Sequence, residues 1–207
     1  MTIADWTLKE YLDRAASGEA TPGGGSVAAM AGAMAASMVT MVTNLTIGKK
    51  GYLDVEAECR AIRERSQLLR SELLGLAEAD MHAFENLIAA CRLPRGTEAE
   101  ASARMERIQE ALKEAIEVPF RIARASEQVI TLARRLVEIG NKNAVSDAGV
   151  ACFLGEGAAQ SALLNVDINL QALTDQNLAR SAMAERKAIG ERVASLRAET
   201  SALLAVK

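Results

Sequence analysis

Between Glu19 and Lys49 the chain carries no charged side chain. Few soluble architectures can house such a stretch, so it constrains the fold more than any other segment. Pro22 followed by Gly23, Gly24 and Gly25 predicts a tight turn, because glycine reaches backbone conformations closed to other residues. Ser26 is then placed to cap a helix, its hydroxyl accepting from an orphan first-turn N–H. From Val27 to about Ile47 the residues read as one long helix. Ala28, Ala29, Gly32, Ala33, Ala35, Ala36 and Ser37 are small, and Met30, Met34, Met38 and Met41 fall at helical spacing. Polar groups gather at its far end: Asn44, Thr46, Lys49 and Lys50.

A run of this length could span a bilayer, with Gly32 and Ala36 as a close-contact pair. Alanine, glycine, serine and threonine gain little from lipid, however, and the rest of the chain is charged and amphipathic, which argues against a membrane partner. The alternative is a central core helix whose neighbours approach closely.

Composition agrees. Half of the 207 residues are hydrophobic, a quarter are charged and only 3% are aromatic, with Ala, Leu, Glu and Arg abundant. That balance predicts an all-α protein of one domain, residues 1–207. A net charge of −3 without any basic stripe argues against nucleic acid. Cys59, Cys91 and Cys152 are odd in number and lack a CxxC, so they read as small buried side chains in a reducing compartment. The first residues carry acids and no apolar core of a signal peptide, so the expected location is cytoplasmic.

Along the chain, Thr7 caps a first short helix with Trp6, Leu8, Tyr11, Leu12 and Ala15 as its apolar face. A second long amphipathic run spans roughly 53–91, and Pro94 and Gly96 mark a loop. Thr97 opens another helix, with Glu98 and Glu100 in its first turn and a kink or break expected near Val118 because of Pro119. Gly140 ends it as a C′ residue. Another small-residue helix follows the turn at Asn141, Lys142 and Asn143, and Thr174 starts a last one. The expectation is an antiparallel bundle of five to seven helices. Two charge-poor helices are more than one such domain needs to hide, so a homo-oligomer is expected to cover them.

Candidates for chemistry are few. The PGGGS turn lacks the GK[ST] of a P-loop, although its N–H groups at a helix start could receive an anion. Lys49 and Lys50 could bind a carboxylate or simply solvate a helix end. Asp80 and Phe84 share a helix face, and alone Asp80 would read as a surface acid. His82 is the single histidine, which excludes a multi-histidine metal site. Asp147 stands in an otherwise apolar helix, where a buried carboxylate needs partners or a task. Asn141, Asn143, Asn165 and Asn169 supply amides suited to the edges of a heterocycle.

Taken together and in order, TPGGGSVAA (21–29), NLTIGKK (44–50), D-x-x-AF (80–84), LP (93–94), VP (118–119), GN-x-N-x-x-SD (140–147) and NV-x-x-NL (165–170) resemble the cyclodeaminase/cyclohydrolase family of folate enzymes. The resemblance covers nearly the whole chain. It implies an all-α fold, a homodimer and a tetrahydrofolate substrate, with no metal and no other cofactor. The activity it implies is hydrolysis of 5,10-methenyltetrahydrofolate. Cyclodeamination of 5-formiminotetrahydrofolate is the alternative, and a non-catalytic folate binder is the reading from another class. Without a formiminotransferase segment the chain resembles the stand-alone cyclohydrolase form. On the matching positions, Asp147 and Asp80 are expected to share the acid–base and cation-stabilising roles. Asn44, Asn141, Asn143 and Ser146 would orient pterin or water. Pro22, Gly23, Gly24, Gly25 and Ser26 would let the folate approach the backbone beside Phe84, and Lys49 and Lys50 would hold its glutamate tail.

Overall fold

The computed structural model describes residues 2–207. Six α-helices account for most of them: α1 (Leu8–Ala15), α2 (Gly24–Thr46), α3 (Glu56–Cys91), α4 (Glu98–Ile139), α5 (Val145–Leu170) and α6 (Gln176–Ala205), with no strand among the described residues. Short 3₁₀ turns at Ile3–Asp5, Lys50–Val55 and Lys142–Ala144 complete the chain. The long run expected from about residue 53 is therefore helical only from Glu56, and the last helix is capped by Asp175 rather than opened by Thr174.

Local signals work as expected at two helix starts. The Glu10 N–H donates to Thr7 Oγ1 at 3.2 Å, while the Thr7 N–H donates to Glu10 Oε2 at 2.7 Å. Thr97 and Glu100 repeat this reciprocal capping at the head of α4. Of the kink or break expected near Val118, the break does not occur, since α4 runs unbroken for 42 residues through Pro119. Gly140 follows it with φ −73°, an ordinary value, so its role is not that of a left-handed C′ glycine. A Cβ there would lie 2.6 Å from the Leu136 carbonyl oxygen and 3.2 Å from Val42, and close approach explains the glycine instead.

The five long helices run alternately up and down. Thr40 and Ser66 hydroxyls meet at 2.8 Å between α2 and α3, and Arg135 grips Glu58 through two hydrogen bonds between α4 and α3. Arg192 grips Glu127 in the same way between α6 and α4, and Arg186 grips Asp167 between α6 and α5. Such exposed pairs contribute little each, but they fix registers. The core of α4 is central: it packs on α2, α3, α5 and α6, whereas α2 and α5 pack on each other with α4 at their backs. Glycines mark where these rods touch. A Cβ on Gly32 would meet Ser126 Oγ at 2.9 Å and Leu73 at 3.1 Å, and one on Gly155 would meet Ile130 at 2.8 Å. α2 is long and apolar enough by composition to cross a membrane, but most of it is buried inside the bundle.

Two expectations about burial are corrected. In α1 only Tyr11 is buried, while Leu8 and Leu12 face solvent. Cys59 and Cys152 are buried as free thiols, but Cys91 is exposed at the last residue of α3.

Candidate functional site

The start of α2 and the ends of α3 and α5 enclose a cavity of about 240 Å³. Gly23, Gly24, Gly25 and Thr21 line one side, Asp80, Ala83, Phe84 and Leu87 of α3 another, and Asn165, Ile168 and Asn169 of α5 a third. Pro22, buried after a cis peptide, turns the chain into α2.

Ser26 does not cap α2. Gly23 occupies the cap position without a side chain to offer, and Ser26 lies inside the first turn, fully buried. Its hydroxyl pairs with the Tyr11 hydroxyl at 3.1 Å. The Ser26 backbone N–H faces the Asp80 carboxylate, so an acid from α3 stands where a capping side chain would. Gly25 makes this possible. A Cβ at that position would come within 2.5 Å of Asp80 Cγ and 2.7 Å of Oδ2, so the carboxylate rests directly on the glycine backbone.

Burial pushes the Asp80 pKa above its ordinary 3.8, and the Ser26 N–H draws it only partly back. No cationic side chain contributes to that balance among the described residues. Burial also raises the Tyr11 pKa; its bond to Ser26 opposes the shift, and the negative Asp80 adds to it. Asp80, far from being a surface acid, is the one charged group lining this pocket among the described residues. Two amides face it. Asn169 Nδ2 donates to the Ala115 carbonyl at 2.6 Å and Asn165 Nδ2 to the Ser161 carbonyl at 2.9 Å, which fixes both side chains.

The other expected site residues lie at the opposite end of the bundle. Asn44 is about 30 Å along α2 from Gly24, and Asp147 is about 27 Å along α5 from Asn165, at a rise of 1.5 Å per residue. There the Asn141 amide donates to the Leu45 carbonyl at 2.7 Å and its Oδ1 accepts from the Asn143 N–H at 3.0 Å. The Asn141 N–H donates to Thr46 Oγ1, and the Lys142 N–H to the Tyr52 hydroxyl. Asn44, Lys49, Lys50, Asn143 and Ser146 are exposed and Asp147 half-buried. Within one protomer the structure thus joins Pro22 through Ser26 with Asp80 and Phe84, and leaves Asn44, Lys49, Lys50, Asn141, Asn143, Ser146 and Asp147 as a second polar pole. Tyr11 was legible only as an apolar helix residue. Nothing local announced its bond to Ser26.

The family profile for formiminotransferase-cyclodeaminase matches residues 7–188. The chain is 43% identical to the methenyltetrahydrofolate cyclohydrolase of Methylorubrum extorquens, over 90% of this chain and 93% of that protein. It is 31% identical to rat formimidoyltransferase-cyclodeaminase over 84% of this chain, matching only 32% of that longer protein. A crystal structure of formiminotetrahydrofolate cyclodeaminase from Thermotoga maritima superposes with a TM-score of 0.90 at 34% identity, covering 98% of this chain and 97% of that one. The profile match over residues 7–188, with likeness over nine-tenths or more of both chains to the Methylorubrum and Thermotoga proteins, places the chain in the formiminotransferase-cyclodeaminase family.

Proposed function

We propose that this protein hydrolyses 5,10-methenyltetrahydrofolate to 10-formyltetrahydrofolate, acting as a cytoplasmic homodimer. The observation that carries the reading is Asp80: an unpaired carboxylate in an otherwise uncharged pocket. Such a site is complementary to a compact cation, and the methenyl group is one, an amidinium carbon bridging N5 and N10. Water adds to that carbon and loses a proton, giving a tetrahedral adduct. Protonation of N5 and cleavage of its bond to carbon leave the formyl group on N10, with one proton released overall. Asp80 stabilises the cation and exchanges protons with the attacking water. A pKa above the ordinary range suits this, since acid–base catalysis is most effective when the pKa approaches the working pH. The amide nitrogens of Asn165 and Asn169 are tied to helix carbonyls, so each side chain presents carbonyl oxygen to the N–H edge of a pterin. Phe84 offers an aromatic face at the rim.

The relatives named cyclodeaminases favour a second reading of the same site. There N10 attacks a formimino carbon on N5, ammonia leaves, and the same methenyl cation is the product. The chromophore of that cation separates the alternatives. Purified protein should accelerate its loss over a buffer blank when 5,10-methenyltetrahydrofolate is supplied. Growth of the chromophore from 5-formiminotetrahydrofolate, with ammonia release, would instead make the protein a cyclodeaminase. Silence in both assays would leave a folate binder.

The exposed face of α2 and α5 supports the homodimer. On α2, Val27, Ala31, Met34, Met38, Met41 and Leu45 recur every three or four residues, and none is fully buried. On α5, Val150, Leu154, Gly157, Ser161, Leu164 and Ile168 do the same, with Leu164 60% and Ile168 66% exposed. This is the spacing of a helix–helix seam. Gly32 of α2 and Gly155 of α5, which lie off these stripes, are the positions that press on α4, so both stripes point away from it. Gly157 sits mid-stripe with nothing within 4 Å of a Cβ placed on it. A mid-helix glycine costs about 1 kcal/mol relative to alanine and has no use inside the protomer, but it lets a second α5 come close. Gly157→Arg should therefore convert a dimer to a monomer in light scattering while leaving the helical circular dichroism intact.

A further inference from the structure

The cavity beside Asp80 does not end at Phe84. Ala20, Thr21 and Phe84 also line a second hollow, of about 250 Å³, which continues along α3 past Glu85 and Ile88 to Arg92. Phe84, 38% exposed, forms the sill between the two. At about 240 Å³ the first cavity falls below the roughly 300–1,000 Å³ of pockets that bury a ligand of drug size. It has room for the pterin and methenyl group of a folate, while the benzoyl ring and the glutamate must leave over a rim. The second hollow is a trough in which they can lie.

The two hollows differ in charge. Asp80 is the one charged residue lining the first among the described residues, whereas the second holds Glu85 and Arg92. Glu85 is held at the near end, accepting from Thr21 Oγ1 at 3.4 Å and lying 3.5 Å from His82 Nδ1. Arg92 stands two helical turns beyond, about 10 Å further along α3. An arginine at a helix end is ordinarily explained by the carbonyls left bare there. Here another residue serves them: Arg104 Nε donates to the Cys91 carbonyl at 3.0 Å. The Arg92 N–H closes α3 on the Ile88 carbonyl, but its guanidinium has no hydrogen-bond or ion-pair partner among the described residues. The end of α3 would otherwise repel an anion, so the full charge of Arg92 decides whether one can sit here.

The lengths agree as well. Arg92 is about 18 Å along α3 from Asp80. From the methenyl carbon through N10, the benzoyl ring and the amide to the glutamate carboxylate is roughly 12 Å at ordinary bond lengths. The arginine side chain covers the remainder, because side chains on a helix lean towards its N-terminus, here towards Phe84.

Building on the enzymatic reading above, we propose that Arg92 binds the glutamate carboxylate of the substrate, with the pterin beside Asp80 and the benzoyl ring on Phe84. Glu85, between them, repels a carboxylate from the near end and offers an acceptor to the amide N–H that joins benzoyl to glutamate. The groove thus sets a negative and a positive group against the two oppositely charged ends of one molecule. Lys49 and Lys50 stand at the opposite pole of the protomer, whereas Arg92 lies at the rim of the pocket itself.

The test compares 5,10-methenyltetrahydrofolate with an analogue that ends in a neutral benzamide in place of the benzoylglutamate. Wild-type kcat/KM should favour the folate by about tenfold, the worth of one hydrogen bond to a charged group. Arg92→Gln should abolish that preference. The loss should fall on KM and spare kcat, because the tail is held equally in the ground and transition states. Arg92→Lys, which keeps the charge, should restore part of the preference. A preference that survives Arg92→Gln, or a wild type without one, overturns the proposal. If the wild type turned over neither 5,10-methenyltetrahydrofolate nor 5-formiminotetrahydrofolate, the enzymatic reading would fall. Calorimetric binding of 5-formyltetrahydrofolate and its benzamide counterpart then reads the same preference without chemistry. Its loss in Arg92→Gln would uphold the tail site, and its persistence, or binding of neither compound, would overturn it.

Discussion

Gly25→Ala is expected to lower kcat/KM by roughly 10²–10³-fold while leaving the bundle folded. The added methyl group would occupy the space of the Asp80 carboxyl, 2.5 Å from Cγ and 2.7 Å from Oδ2. The φ of Gly25 is not left-handed, so alanine introduces no backbone strain, and the whole effect comes from displacing the acid. Either Asp80 rotates out of the pocket or α2 moves off α3 by a comparable distance. Misplacing a catalytic group by about 1 Å can cost 10²-fold in rate. Overpacking of this kind destabilises by about 1–3 kcal/mol, and each kcal/mol lowers Tm by about 2–4 °C at this chain length. Steady-state kinetics beside a thermal melt check both parts. Unchanged kinetics would mean that the carboxylate does not act from its position on Gly25.

Asp80→Asn should separate activity from stability even more sharply. Removing an acid–base group typically costs 10²–10⁴-fold, and turnover should fall by roughly that much. Stability should move the other way. Burial raises the folded-state pKa of Asp80 above its ordinary 3.8, so the folded protein holds this proton more tightly than the unfolded chain does. The resulting stabilisation is fully present below the unfolded pKa and is lost as pH rises through the folded one. At neutral pH the ionised, unpaired carboxylate therefore opposes folding. Asparagine keeps an acceptor for the Ser26 N–H without the buried charge, and should raise Tm by about 2–4 °C per kcal/mol recovered. The gain should be largest at neutral pH and shrink as pH falls through the Asp80 titration. A variant less stable than wild type at pH 7 would show that the ionised form is better solvated than its burial implies.

The helices were legible in the sequence because their signals are local. Thr7 and Thr97 each find the glutamate three residues on, and the uncharged alanine-rich stretch becomes the helix flanked by α3 and α5 with α4 behind it. What a local signal cannot carry is which end of one helix meets which end of another. Asp80 looked like a surface acid because nothing within α3 reveals that glycine backbone lies against it. Ser26 looked like a cap because its partner, Tyr11, lies 15 residues away on another helix. Pro119 was read as a kink or a break, yet no break occurs: the flanking residues Val118 and Phe120 are buried on the bundle, and that packing holds α4 together across the missing N–H. The motif residues were gathered into one site in the sequence reading. The chain places them at two poles because α2 and α5 run antiparallel, which sets Gly24 beside Asn165 at one end and Leu45 beside Asn141 at the other.

α5 acts as a ruler. Its 26 residues set both the distance between Asp147 and Asn165 and the angle between their side chains. Deleting one residue between them would shorten that distance by only about 1.5 Å but turn the two groups by about 100° relative to one another. Seven residues, close to two full turns, would preserve the angle and change the length by about 10 Å. The residues along α5 can therefore change in kind more freely than in number if the relation between its two ends is to be kept.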